Sequence, residues 1–195
     1  MRERSGHGQV SYNAALNACA SCGEDAAASS LRQEMTERRI APTQVTCNTL
    51  LKLFALTKDG QRAYELLQDM PRYRLKPDLI SFNSALSASN ASLVEWLLHE
   101  MAPGLQPDMI SYNAATFAFS QATEWQKVAQ LLEELGQDQP SASVYHNALR
   151  ALVTASCESQ ASGLLEEMRR NQVQPNQAKG DGARRTGFTA PCMWT

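Results

Sequence analysis

Four asparagines recur in one local frame, as Tyr12-Asn13, Cys47-Asn48, Phe82-Asn83 and Tyr112-Asn113, at steps of 35, 35 and 30 residues. A carboxamide carries a donor and an acceptor side by side, so a series of them is a series of matched hydrogen-bonding groups. An asparagine near a helix start also serves as a cap or turn residue. Recurrence at one repeat position favours presentation in series, since a packing role would select apolar residues there. The other chemistry-bearing residues form no constellation. Cys19 and Cys22 make one C-x2-C, but a zinc site needs about four ligands and no second pair follows. His7, His99 and His146 are scattered, with no Ser or Cys partner at a recognisable elbow. No nucleophilic triad, glycine-rich phosphate loop or metal-ligand run is present. The expectation is therefore no catalytic residue, no metal, no cofactor and no small-molecule substrate.

The elements that must carry these asparagines repeat with them. Each unit holds an acidic residue followed by Met or Leu, at Met35, Met70, Met101, Leu135 and Met168, and then a proline, at Pro42, Pro77, Pro107, Pro140 and Pro175. In the fifth unit His146 takes the asparagine position, because Met168 and Pro175 then lie 22 and 29 residues on, as in the first two units. Each unit reads as two helices. The first has apolar residues at helical spacing, as in Leu50, Leu51 and Phe54. Ser11, Thr46, Ser81 and Ser111, two residues before the asparagines, are expected to cap its N-terminus. Gly23 and Gly60 are expected to mark the turn between helices. The second helix places Ala28, Ala63, Val94, Val128 and Ala161 seven before the Met position, and Leu31, Leu66, Leu97, Leu131 and Leu164 four before it. Seven, four and zero share one helical face, which makes a packing stripe. One helix pair cannot bury that stripe alone, whereas stacked pairs can. The predicted class is an all-α solenoid of stacked antiparallel helix pairs, with units at 9–43, 44–78, 79–108, 109–141 and 142–176. The third unit lacks four residues around its interhelical turn, so a truncated first helix or a tight turn is expected there. Residues 1–8 read as the remnant of a preceding repeat, and 177–195, with no apolar period, as a loose tail.

Composition agrees. The chain has 195 residues, 43% hydrophobic and 19% charged, with a net charge of −2, which suits a packed array rather than a disordered chain. Near-neutral charge argues against tight non-specific binding to duplex DNA, which many Lys and Arg contacts carry. No run of 18 apolar residues occurs, so no membrane association is expected. Five cysteines without a visible secretory signal read as reduced thiols.

The period of 35 with Val45-Thr46-Cys47-Asn48-Thr49-Leu50-Leu51, Lys76-Pro77-Asp78-Leu79-Ile80-Ser81-Phe82-Asn83 and Gln106-Pro107-Asp108-Met109-Ile110-Ser111-Tyr112-Asn113 resembles the pentatricopeptide repeat family. The resemblance implies a right-handed superhelix that binds single-stranded RNA in a sequence-specific way, one base per repeat, read by two or three side chains. It implies reading pairs Asn13 with Thr43, Asn48 with Asp78, Asn83 with Asp108, Asn113 with Ser141, and His146 with Asn176. Within the family, Asn with Asp goes with uracil and Asn with Ser with cytosine, so a pyrimidine-leaning target is implied. Val10, Val45, Ile80 and Ile110, three residues before the asparagines, stand near the place where the family sandwiches bases. Lys52 and Arg150, one helical turn beyond the reading position, are candidate phosphate contacts. The resemblance also implies work in chloroplasts or mitochondria, in RNA processing, editing or stabilisation, with protein partners supplying any chemistry. The alternative is a protein-binding scaffold of tetratricopeptide type.

Overall fold

The computed structural model describes residues 3–101, 104–135 and 140–173. These form helix pairs in chain order: α1 (Glu3–Cys22) and α2 (Asp25–Glu37), α3 (Gln44–Thr57) and α4 (Gly60–Asp69), α5 (Leu79–Ala88) and α6 (Ala91–Met101), α7 (Met109–Gln121) and α8 (Trp125–Leu135), α9 (Ala142–Thr154) and α10 (Glu158–Arg170). The odd-numbered helices pack on one another in sequence, each even-numbered helix packs on its own partner, and α2, α4, α6 and α8 pack also on the first helix of the next unit. That is a solenoid of two helical layers, α1-α3-α5-α7-α9 forming one of them.

The second-helix stripe makes the core. Ala63, Val94, Val128 and Ala161, with Leu66, Leu97, Leu131 and Leu164 and then Met70, Met101, Leu135 and Met168, are all buried. Each fully buried Leu or Met is worth about 1.5–3 kcal/mol of transfer free energy, so the stripe both closes a unit and joins it to the next. Among the described residues no helix is long and apolar enough to cross a membrane.

Helix starts differ from the sequence expectation. The caps are Thr43, Asp78, Asp108 and Ser141, whose side chains accept from the N–H groups of Thr46, Ser81, Ser111 and Val144. Thr46, Ser81 and Ser111 stand inside the first turn, where their hydroxyls accept the cap N–H in return. The preceding proline explains the shift. It disfavours helical geometry in the residue before it and leaves the residue after it free to cap. Ser11 is not a cap either, because α1 runs unbroken from Glu3 through it. At the cap position of that unit stands Gly8, which offers no side-chain acceptor to begin a helix there.

The turns between paired helices pass through left-handed residues at one repeat position: Gly23 (φ 72°), Lys58 (φ 58°), Thr123 (φ 60°) and Ser156 (φ 57°). Gly60 is not the turn residue but the first residue of α4. Its lack of a side chain has a different cause. A Cβ there would stand 2.7 Å from Ser89 Cα and 3.2 Å from the Ala88 carbonyl oxygen. The third unit's deletion therefore falls on α5, which has 10 residues where α3 has 14 and α7 has 13. Its shortened end folds back against α4, and Asn90 Oδ1 accepts from Leu93 N–H to start α6.

Candidate nucleic-acid interface

Counting from the caps, Asn48, Asn83, Asn113 and His146 are all the fifth residue after the cap. His146 is exposed, while the neighbouring Asn147 is buried against α7 with its amide 3.5 Å from Thr116 Oγ1. That supports His146 over Asn147 as the equivalent position.

Each asparagine meets the start of the next unit. Asn13 Nδ2 donates to Thr43 Oγ1 at 3.2 Å, and its Oδ1 accepts from the Thr46 hydroxyl at 2.6 Å. Asn48 Oδ1 accepts from the Ser81 hydroxyl at 2.7 Å, and Asp78 accepts from the Asn48 side chain. Asn83 Nδ2 donates to Asp108 Oδ1 at 3.0 Å, and its Oδ1 accepts from the Ser111 hydroxyl at 2.5 Å. An aspartate only accepts, so it holds the amide nitrogen toward itself and sets the orientation of the group. The fourth unit differs. Val144 occupies the place of the Ser or Thr, and the Ser141 hydroxyl itself donates to Asn113 Oδ1 at 3.0 Å. There the amide oxygen, not the nitrogen, faces the cap. Four pairs named from the sequence are thus brought together. Asn176, the named partner of His146, lies outside the described residues.

The aspartates carry the electrostatics of the row. Burial pushes the Asp78 carboxyl up, but the Ser81 N–H and hydroxyl, the Asn48 amide and the Gln44 amide together hold it below its ordinary value. Asp108 is likewise lifted by burial and lowered further by the Ser111 N–H, Asn83, the Ser111 hydroxyl and the Ile110 N–H. Both are charged near neutral pH.

Beside the row lie exposed aliphatic side chains. Val10, Val45, Ile80 and Ile110 are 71%, 60%, 63% and 59% exposed. Asn13, Asn48 and Asn113 are half-buried and Asn83 is buried, so bare valine and isoleucine beside them make an apolar surface whose hydrogen-bonding edge recedes at the third unit. At the C-terminal end Ile110, Asn113, Ser143 and His146 line one open groove of about 810 Å³.

Lys52 is exposed on α3. Arg150 is partly engaged, with Nη2 donating to Ser120 Oγ at 2.6 Å and its guanidinium 5.1 Å from the Phe117 ring centroid. Sequence reasoning missed Phe117 and Lys58, which share that groove. The available signal was Phe117 itself, an aromatic four residues after Asn113 where other units carry polar or charged residues. Among the described residues no group of three or more His, Cys, Asp or Glu is arranged to hold a metal ion. Cys19 packs half-buried against the core and Cys22 is exposed. Burial pushes the Cys47 thiol up to about 11, against a small lowering by Arg32, which marks it as a packing residue rather than a nucleophile.

The PPR repeat family matches residues 7–56 and 42–89. A chloroplastic pentatricopeptide repeat-containing protein of Arabidopsis thaliana is 36% identical over 77 residues, covering 38% of this chain and 10% of that protein. The pentatricopeptide repeat protein PPR10 in complex with an 18-nt psaJ RNA element shares the fold, with a TM-score of 0.72 at 23% identity over 86% of this chain and 26% of that one. The PPR domain of Arabidopsis thaliana protein-only RNase P 1 in complex with tRNA does so too, with a TM-score of 0.72 at 17% identity over 87% of this chain and 93% of that one. The chain spans about a tenth of the length of the curated relative it matches. The direct family match thus lies over the first units of the array, within residues 7–89, and the later units continue the same fold and cap register.

Proposed function

We propose that this array binds single-stranded RNA in a sequence-specific manner, one base per unit, with a lean toward pyrimidines. The carrying observation is the clamped row of amides beside exposed Val10, Val45, Ile80 and Ile110. Each clamped amide keeps one unused acceptor lone pair and at least one unused N–H, which is what the hydrogen-bonding edge of a base requires. The bases would pack between the aliphatic side chains. Uracil and cytosine exchange donor and acceptor along that edge. The amide orientation at Asn48 and Asn83 against that at Asn113 supports uracil for the second and third units and cytosine for the fourth.

Low net charge means that affinity comes from base contacts more than from phosphate neutralisation, with Lys52 and Arg150 as the named phosphate contacts. The array holds the strand, and any cleavage or editing belongs to another module or partner. Similarity to RNA-bound members of the family, and to a chloroplastic one, supports a role with organellar RNA in chloroplast or mitochondrion.

The test is a gel shift of this chain with short single strands carrying U-U-C or a purine replacement. Preference for the pyrimidine strand is expected. The double variant Asn48→Thr, Asn83→Thr should move that preference toward purine at two positions. Equal weak binding to both strands, unchanged in the variant, would favour the protein-binding scaffold.

A further inference from the structure

We propose that the gap left by the shortened α5 is a nucleotide site of a second kind, which takes an extra, unread base of the bound strand against Phe117 with its phosphate near Lys58 and Arg150. This rests on the RNA reading above.

The site joins the second unit to the fourth and fifth, across the shortened third. Because α5 stops at Ala88, Lys58 of the second unit reaches past its end, with Nζ donating to the Ser87 carbonyl at 2.9 Å and lying 5.8 Å from the Phe117 ring centroid in the fourth unit. Arg150 of the fifth unit approaches the same ring at 5.1 Å, braced on Ser120. The ring is 40% exposed, whereas Phe54, Phe82 and Phe119 are buried. It opens on the 810 Å³ groove, whose lining holds Lys58, His146 and no Asp or Glu.

Cation–ring contacts alone would account for the two basic residues. They leave unexplained an open cleft beside an aromatic ring that stays 40% exposed with both cations in place. A flat apolar surface flanked by two braced cations, in a groove free of carboxylates, matches a ligand that is flat at one end and anionic at the other. A nucleotide is such a ligand, and base–aromatic stacking tolerates any base. The other units carry Asn17, Lys52, Ser87 and Arg150 at the position of Phe117, so the site belongs to the third-to-fourth junction. The consequence is a target with one more nucleotide there than the number of units implies.

The experiment compares a strand carrying U-U-C with one carrying U-U-x-C, where x is 2-aminopurine, by titration of the chain. The inserted strand is expected to bind about tenfold more tightly, the order of effect of one base–aromatic stack, with quenching of the 2-aminopurine fluorescence. Phe117→Leu keeps apolar volume without a π face, so it should bring the ratio of the two affinities to about one and abolish the quenching, with an unchanged melting curve. Tighter binding of the contiguous strand, or an unchanged ratio in Phe117→Leu, overturns the extra site while leaving the reading pairs standing. Absence of binding to either strand overturns the RNA reading and this site with it.

Discussion

Asn83 donates to Asp108 at 3.0 Å across 25 residues of chain, and Asn13 makes the matching contact to Thr43 at 3.2 Å across 30. The deletion in the third unit is thus absorbed at the C-terminal end of α5, away from the layer of amides. Spacing along the chain varies, whereas each asparagine keeps a hydrogen bond to the next cap, through its nitrogen in the first three units and its oxygen in the fourth.

That contact has a stabilising share that is separable from ligand binding. Asn83→Ala is expected to lower unfolding stability by about 1–2 kcal/mol, since it leaves the buried Ser111 hydroxyl and Asp108 short of a partner. Asp108→Ala should cost a similar ~1–2 kcal/mol through loss of the cap. Urea denaturation of the two single variants and the double should give a coupling of at least ~0.5 kcal/mol. Strict additivity would mean that the pair does not join the units.

Asp78 and Asp108 predict the acid limb of stability. Both carboxyls lie below their ordinary value in the folded chain, while an unfolded Asp titrates near about 3.9. A depressed folded value gives stabilisation that is fully present above the unfolded pKa and lost as pH falls through the folded one. These two groups should add no pH dependence between about pH 6 and 8 and a steep loss below about pH 4. The double variant Asp78→Asn, Asp108→Asn should flatten that loss in urea midpoints measured against pH.

Two glycines should respond with opposite sign. Gly60→Ala drives a Cβ to 2.7 Å from Ser89 Cα, and backbone cannot swing aside as a side chain can, so a loss of about 1–3 kcal/mol is expected. Gly163, inside α10, has nothing within 4 Å of the place a Cβ would take. Gly163→Ala should gain about 0.5–1 kcal/mol from helix propensity. Thermal melts of the two variants suffice. Equal effects would place the end of α5 elsewhere.

Thr123 holds a left-handed conformation with φ 60°, which is costly for a β-branched residue. Thr123→Gly relieves it and should stabilise the chain by up to about 1 kcal/mol, read as a higher urea midpoint. A lower midpoint would mean that the residue adopts another conformation in solution.

The helix pairs, the apolar stripe and the asparagine series are legible in the sequence because each is a local signal. A period of 35, a seven-four-zero face and a proline before each cap need only a few neighbouring residues to take effect. The caps stand three residues before the expected ones because Ser81 and Asp78 are both competent, and the reciprocal bonds that use both emerge only when the turn is built. Gly60 reads as a turn residue in the sequence because a glycine's reason can lie in a residue far along the chain, here Ser89. The amide orientations, and the meeting of Lys58, Phe117 and Arg150 across four units, were settled by tertiary structure alone. They depend on how far one shortened helix lets its neighbours approach, and no local pattern encodes a distance between residues in different repeats.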